Sequence, residues 1–126
     1  MKPIKLLAAA TALVMAATPA FAANWILTTG SRANNTVFYY DADTIQRSGN
    51  QVTVWEKEDV LGEYGLMDYS IGRSIYDCAE RTYTLLNSTN YFRDGTNKSY
   101  NYASTTYARP ITPGSVAEFF LKAVCR

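Results

Sequence analysis

The chain contains no histidine. That removes Ser-His-Asp and Cys-His nucleophilic sites, together with the usual zinc and iron ligand sets. Cysteine is nearly absent too: Cys78 and Cys125 are the only two, and no C-x-x-C pair occurs. No glycine-rich phosphate loop is present, because Gly62-Glu63-Tyr64-Gly65 has neither the spacing nor a following helix. Charge of one sign is missing as well: 12 basic residues stand against 11 acidic. Such a balance exerts no long-range pull on nucleic acid or an anionic membrane. Beyond residue 22 no apolar run is long enough for a transmembrane helix. There is no internal repeat, low-complexity tract or linker to divide the chain into domains. These absences argue against an enzyme and against a resident cofactor or metal.

What is present begins with an export signal. Lys2 and Lys5 form a positive n-region, Leu6 to Ala17 an apolar h-region, and Ala20-Phe21-Ala22 an A-x-A cleavage site after Pro19. Residues 1–22 are therefore read as a signal peptide, and residues 23–126 as one domain destined for the periplasm, the outer-membrane surface or secretion. A short membrane anchor is the alternative, but the run is short for a span. No cysteine lies in this region, which excludes lipid attachment to a cysteine there. In an exported chain two cysteines read as one disulfide, with two free thiols as the alternative.

The remainder reads as β. Ten tyrosines, two tryptophans and many threonines suit pleated surfaces. Strands are expected at Asn24 to Thr29, Thr36 to Asp41, Gln51 to Glu58, Met67 to Cys78 with a kink at Gly72, Glu80 to Phe92, and Ser99 to Tyr107. In the third, Val52, Val54 and Glu56 alternate with Thr53, Trp55 and Lys57. Asp41 to Asn50 is rich in turn residues, and Asp94-Gly95 marks a hairpin. Six strands and a terminal helix predict an α+β domain with a mostly antiparallel sheet. Its two edges allow a homodimer.

The helix lies in RPITPGSVAEFFLKAVCR, residues 109–126. Pro110 and Pro113 stop the preceding strand. Ser115 with Glu118 forms a capping box. Val116, Phe119, Phe120, Ala123 and Val124 then fall on one helical face, and Lys122 suits the last turn. A lone helix of about ten residues is marginal in water, so this face must pack on the sheet. A Cys78–Cys125 bond would hold it there, contributing roughly 4 kcal/mol in the chain-entropy model. At about 100° per residue, Cys125 points about 180° away from Val116. Either the last turn unwinds or the bridge reaches round the helix edge.

Three residue sets invite a functional reading. Asp41 and Asp43 could ligate calcium, or they could close an Asx turn; the glycine and final Glu of an EF-hand loop are missing. Glu56 and Glu58 share a strand face, as paired carboxylates do in glycosidases, or they form a solvated strand end beside Lys57. Tyr69, Tyr76, Tyr83, Tyr100, Tyr102 and Tyr107 fall on three successive strands, either as an aromatic contact face or as sheet packing. The sequons at Asn34, Asn87 and Asn97 are read as chance.

Several pieces together resemble the bacterial surface-adhesin E family. They are Trp25, Tyr39-Tyr40-Asp41 with Asp43-Thr44-Ile45, Gly49-Asn50 leading to Val54-Trp55, Tyr76-Asp77-Cys78, and Pro113-Gly114-Ser115-Val116-Ala117-Glu118 with Cys125. They cover nearly all of residues 23–126 in order. The resemblance implies an antiparallel sheet with a C-terminal helix tethered by a disulfide. It also implies a non-enzymatic binding module for a protein partner, such as an extracellular-matrix or serum protein of the vitronectin, laminin or plasminogen kind. In the namesake the strand carrying the first cysteine contributes to vitronectin binding. Here that strand is Ser70 to Leu85, with Arg73, Tyr76, Arg81 and Tyr83 as the partner-binding residues the resemblance implies. Asp68, Asp77 and Glu80 interrupt its basic character. An envelope protein with a structural or regulatory role and no host ligand is the alternative function.

Overall fold

The computed structural model describes residues 23–31, 35–61, 65–102 and 107–126. The signal-peptide segment, the sequon at Asn34, most of the Gly62–Gly65 stretch and residues 103–106 of the sixth expected strand lie outside them.

Six strands form one antiparallel sheet: β1 (Trp25–Ser31), β2 (Thr36–Asp41), β4 (Gln51–Val60), β5 (Met67–Asp77), β6 (Thr82–Phe92) and β7 (Asn97–Asn101), adjacent in that order. Two short strands join them. β3 (Gln46–Ser48) pairs with β4, and β8 (Arg109–Pro110) pairs with the start of β6. The chain ends in the helix α1 (Val116–Val124). The α+β expectation holds in this arrangement. The differences lie at the margins. β3 falls inside the stretch read as a turn, and β6 begins at Thr82 because Ala79 to Arg81 form the turn between β5 and β6. Asp77 organises that turn: its Oδ1 accepts the N–H groups of Ala79 and Glu80 at 3.0 and 2.9 Å. Arg81 closes it in the left-handed region, at φ 56°.

The β6–β7 hairpin turns at Asp94-Gly95. Gly95 takes φ 90°, and Asp94 Oδ1 accepts from the Thr96 N–H at 2.9 Å and its hydroxyl at 2.6 Å. Pairing between β5 and β6 slips twice, between Met67 and Tyr69 and again where Arg73 faces Asn87 while Ser74 faces Leu85. Leu86 is the extra residue of this bulge, and its carbonyl accepts from Tyr102 N–H at 2.8 Å. β5 runs unbroken through Gly72, and the nearest register shift lies beside it, at Arg73/Ser74.

Alternation along β4 assigns the faces. Val52 and Val54 point to one side and are essentially fully buried, together with Tyr76, Ile111, Phe120, Leu121 and Val124. This is the helix-covered face. Phe120 makes an edge-on contact with Phe38 and a tilted one with Tyr76, both at 6.3 Å between centroids. The helix is rotated by one residue from the expected phase: Leu121 is 2% exposed, whereas Phe119 is 45% exposed. The sequence offered apolar side chains at both positions, and contact with the sheet selects Leu121.

The helix ends are fixed by side chains. Ser115 Oγ accepts the Glu118 N–H at 3.3 Å, as a cap should. The Glu118 carboxylate, however, accepts from Gly114 N–H at 3.1 Å rather than from Ser115. It also meets Arg81 at 3.0 Å and Lys122 at 3.6 Å. At the other end Arg47 donates to the Val124 carbonyl at 2.6 Å. Cys125 leaves the helical conformation at φ −93°, ψ 64°, so the last turn unwinds. Its sulfur thereby reaches Cys78, closing the bond across 47 residues.

Candidate functional site

The four residues taken from the family resemblance do not form one surface. Arg73 lies on the face of the sheet away from the helix, over the Trp55 ring at 5.8 Å and 3.5 Å from Gln46 Oε1. Tyr76 and Tyr83 point to the covered face, where their rings lie 6.2 Å apart. Tyr76 is 2% exposed, so its ring belongs to the core rather than to the open face. Arg81 sits in the β5–β6 turn and holds Glu118 at the start of the helix. The physical reason is parity: positions 73 and 76 differ by an odd number and so point to opposite sides of a strand.

The open face carries a cross-strand row of aromatic and cationic groups. Among the described residues no element packs on it. Lys57 Nζ lies 5.0 Å from the Tyr69 ring and 5.9 Å from the Trp25 ring, and 3.6 Å from Asp59. Tyr69 in turn stacks on Tyr91 with centroids 4.4 Å apart. Trp25, Lys57, Tyr69 and Tyr91 come from β1, β4, β5 and β6, so the row spans most of the sheet. Trp55 with Arg73 forms a second pair beside it. Half-buried aromatic rings under cations are suited to a protein partner, because they supply large rigid area with polar tips.

The covered face holds a different kind of site. The long strands run past the first turns of α1, and a cleft of about 380 Å³ opens between them and the helix. Val116, Ala117 and Phe120 form its roof, Phe38 and Leu85 its sides. Its floor is polar: Glu56, Glu58, Ser70, Gly72, Ser74 and Ser88. Register places Glu56 opposite Gly72 and Gly72 opposite Ser88. A Cβ on Gly72 would come within 3.0 Å of the Asn87 carbonyl oxygen and 3.4 Å of Ser88 Cβ, so glycine keeps the floor open.

Glu56 accepts a hydrogen bond from the Tyr76 hydroxyl at 2.6 Å. It is enclosed by protein yet keeps surface open to the cleft. Burial raises its pKa from 4.5 to about 7, against the opposing hydrogen bonds of Tyr76 and Ser74. Burial also raises the pKa of Glu58, which is less enclosed. Burial, and then the adjacent Glu56, push the Tyr76 hydroxyl well above its ordinary value. The two glutamates thus share a face as their spacing predicts, but at the floor of a cleft rather than at a solvated strand end. Lys57, the neighbour expected to solvate them, aims its ammonium at the opposite face.

Asp41 and Asp43 close a local turn. Asp41 is 4% exposed; its Oδ1 accepts from the N–H groups of Asn24 and Asp43, and its Oδ2 from the Thr44 hydroxyl at 2.7 Å. Burial alone would raise its pKa, but these hydrogen bonds outweigh it and hold the carboxylate below the ordinary value. The calcium reading gives way to the Asx turn, because both oxygens already have donors.

The sequence profile described as Surface-adhesin protein E matches residues 25–126. Sequence comparison with curated proteins yields no match. Solved structures of Haemophilus influenzae protein E share the fold. The selenomethionine form is 17% identical, with a TM-score of 0.57 over 86% of this chain and 92% of that one. Another crystal structure of the same protein is 17% identical, with a TM-score of 0.56 over 86% and 89%. Protein E from a non-typeable strain is 16% identical, with a TM-score of 0.54 over 86% and 80%.

Proposed function

The chain belongs to the surface-adhesin protein E family, and from that premise we propose that it is an exported, non-enzymatic module that binds a host matrix or serum protein through the open face of its sheet. Residues 1–22 act as the signal peptide in this reading. The observation that carries it is the row of Trp25, Lys57, Tyr69 and Tyr91 with the Trp55–Arg73 pair, an aromatic and cationic surface that no described element covers. Arg73 is the one residue of the four named from the resemblance that faces this surface. A second, envelope-confined role needs no such face.

The test is binding of the purified domain to immobilised vitronectin, laminin and plasminogen, paired with protease accessibility on intact cells. Saturable binding that Trp55→Ala and Arg73→Ala abolish, with surface exposure, is the expected result. No saturable binding to any of the three, with protection inside the periplasm, removes the adhesin reading.

A further inference from the structure

We propose that the cleft beneath the first turns of α1 is a second binding site, and that it takes an alkylammonium group carried on a short apolar stem. The cleft lies on the opposite side of the sheet from the adhesin surface, so this inference stands apart from that reading.

Three observations converge. The volume, about 380 Å³, falls within the range of small-ligand sites. The floor departs from the pattern that built the core. In β4 the row Val52, Val54, Glu56, Glu58 turns from apolar to acidic midway along the covered face, where further apolar residues would pack. A buried carboxyl lowers the stability of the empty protein unless a cation or donors compensate it, and such departures from local consistency mark functional positions. Finally, Glu56 has hydrogen-bond donors in Tyr76 and Ser74, but among the described residues no cation on the cleft's walls supplies a counter-charge. Lys57 borders the cleft, but its ammonium lies over Tyr69 and Trp25. Of the other cations nearby, Arg81 and Lys122 are held by Glu118, Lys98 sits over Tyr100, and Arg109 over Tyr107.

An ammonium supplies what the floor lacks. It has three N–H donors, for Glu56, Glu58 and the serine hydroxyls, and its charge complements the two carboxyls. The stem would lie along Phe38, Leu85, Val116 and Phe120. A neutral alcohol of the same length fills the same volume but leaves the carboxyls without a counter-charge. The groups that face Glu56 are Tyr76 and Ser74 from β5, Glu58 from its own strand, Tyr83 from β6 and Tyr40, its register partner on β2; β2 also contributes Phe38, and the helix Val116, Ala117 and Phe120. None of these is a cation. Binding therefore requires Glu56 to lose its proton, and affinity rises with pH through the neutral range.

Two sources carry this chemistry, a free amine and a lysine side chain presented by another protein. Calorimetric titration of the intact chain with hexylamine, with 1-hexanol, and with an unstructured peptide holding one lysine or its acetylated form separates them. Saturable hexylamine binding is expected, about tenfold or more tighter than hexanol. It should weaken about tenfold or more between about pH 8 and about pH 5.5, and by a similar factor in Glu56→Gln. Peptide binding lost on acetylation would identify a lysine side chain as the source; hexylamine binding alone would identify a free amine. Amide chemical shifts of the unaltered protein give a readout that needs no variant: they should move at Ser70, Ser88 and Phe120. Equal affinity for hexanol, a flat pH profile, shifts confined to the open face, or no saturable binding of hexylamine or peptide would each overturn the proposal.

Discussion

The two faces of this one sheet are built from the same strands and do opposite things with aromatic residues. On the covered face Phe38 and Tyr76 both pack on Phe120, and Tyr76 is 2% exposed. On the open face Trp25, Trp55, Tyr69 and Tyr91 are only half-buried and sit under Lys57 and Arg73 instead of under a helix. What separates the two is the covering layer. A nine-residue helix, stapled at one end and ion-paired at the other, converts one face into a core. The comparison predicts that disturbances to the covered face will register in stability and disturbances to the open face in binding.

The strongest way to break that contrast is to release the helix. Replacing Cys78 and Cys125 together by alanine frees a loop of 47 residues, and the chain-entropy model puts the loss at about 4 kcal/mol. Urea unfolding with and without reductant checks this; the variant should be indifferent to reductant while the parent shifts to match it. Next in size is Phe120→Ala, which empties the junction of Phe38 and Tyr76 and should cost about 3–4 kcal/mol. Its neighbour is the control. Phe119 is 45% exposed, so Phe119→Ala should stay within about 0.5 kcal/mol. Equal losses at 119 and 120 would place the helix in the other phase.

The covered face also has a pH signature. The folded-state pKa of Glu56, about 7, lies above its ordinary 4.5, so the folded protein holds this proton more tightly than the unfolded chain. Its contribution to stability is full below about pH 4.5, falls as pH rises from 4.5 to 7, and is flat above. The difference across that window is on the order of 3 kcal/mol. Glu56→Gln has no such proton to lose, so its stability relative to the parent should improve through the same window. Paired urea titrations across the pH range measure this directly. A constant gap between the two proteins would mean that folding leaves the pKa of Glu56 at its ordinary value.

Much of the covered layer was legible in residue spacing. Val52 and Val54 against Thr53 and Trp55 mark the faces, Asp94-Gly95 marks the hairpin, and Ser115 with Glu118 marks where the helix begins. The phase of α1 was not legible, because Phe119 and Leu121 are both apolar and only the sheet decides between them. β3 and β8 escaped because Gln46-Arg47-Ser48 and Arg109-Pro110 have no strand periodicity; their pairing comes from the neighbours β4 and β6. The shared face of Glu56 and Glu58 was readable from alternation alone. That α1 would stop short of them and leave a cleft was not, since it depends on where Cys125 anchors the helix. Parity could have separated Arg73 from Tyr76, but the resemblance grouped them by sequence proximity, which a strand does not respect.

A small effect on stability, at Arg73, sharpens the comparison most. Arg73 lies over Trp55 on the open face, where a cation over a ring contributes about 0.5–1 kcal/mol. Its contact with Gln46 is long, at 3.5 Å, and adds little. Arg73→Ala should therefore lower stability by no more than about 1 kcal/mol, well below the loss at Phe120. If the open face is the adhesive one, the same substitution removes an anchor of the type that dominates protein interfaces, and partner affinity should fall about tenfold or more. Arg73→Lys keeps the charge but not the planar group that stacks on indole, so it should restore only part of that affinity. Surface plasmon resonance beside urea unfolding gives both readouts on one preparation. A large stability loss with unchanged binding would reverse the roles assigned to the two faces, because Arg73 would then be supporting the fold rather than meeting a partner.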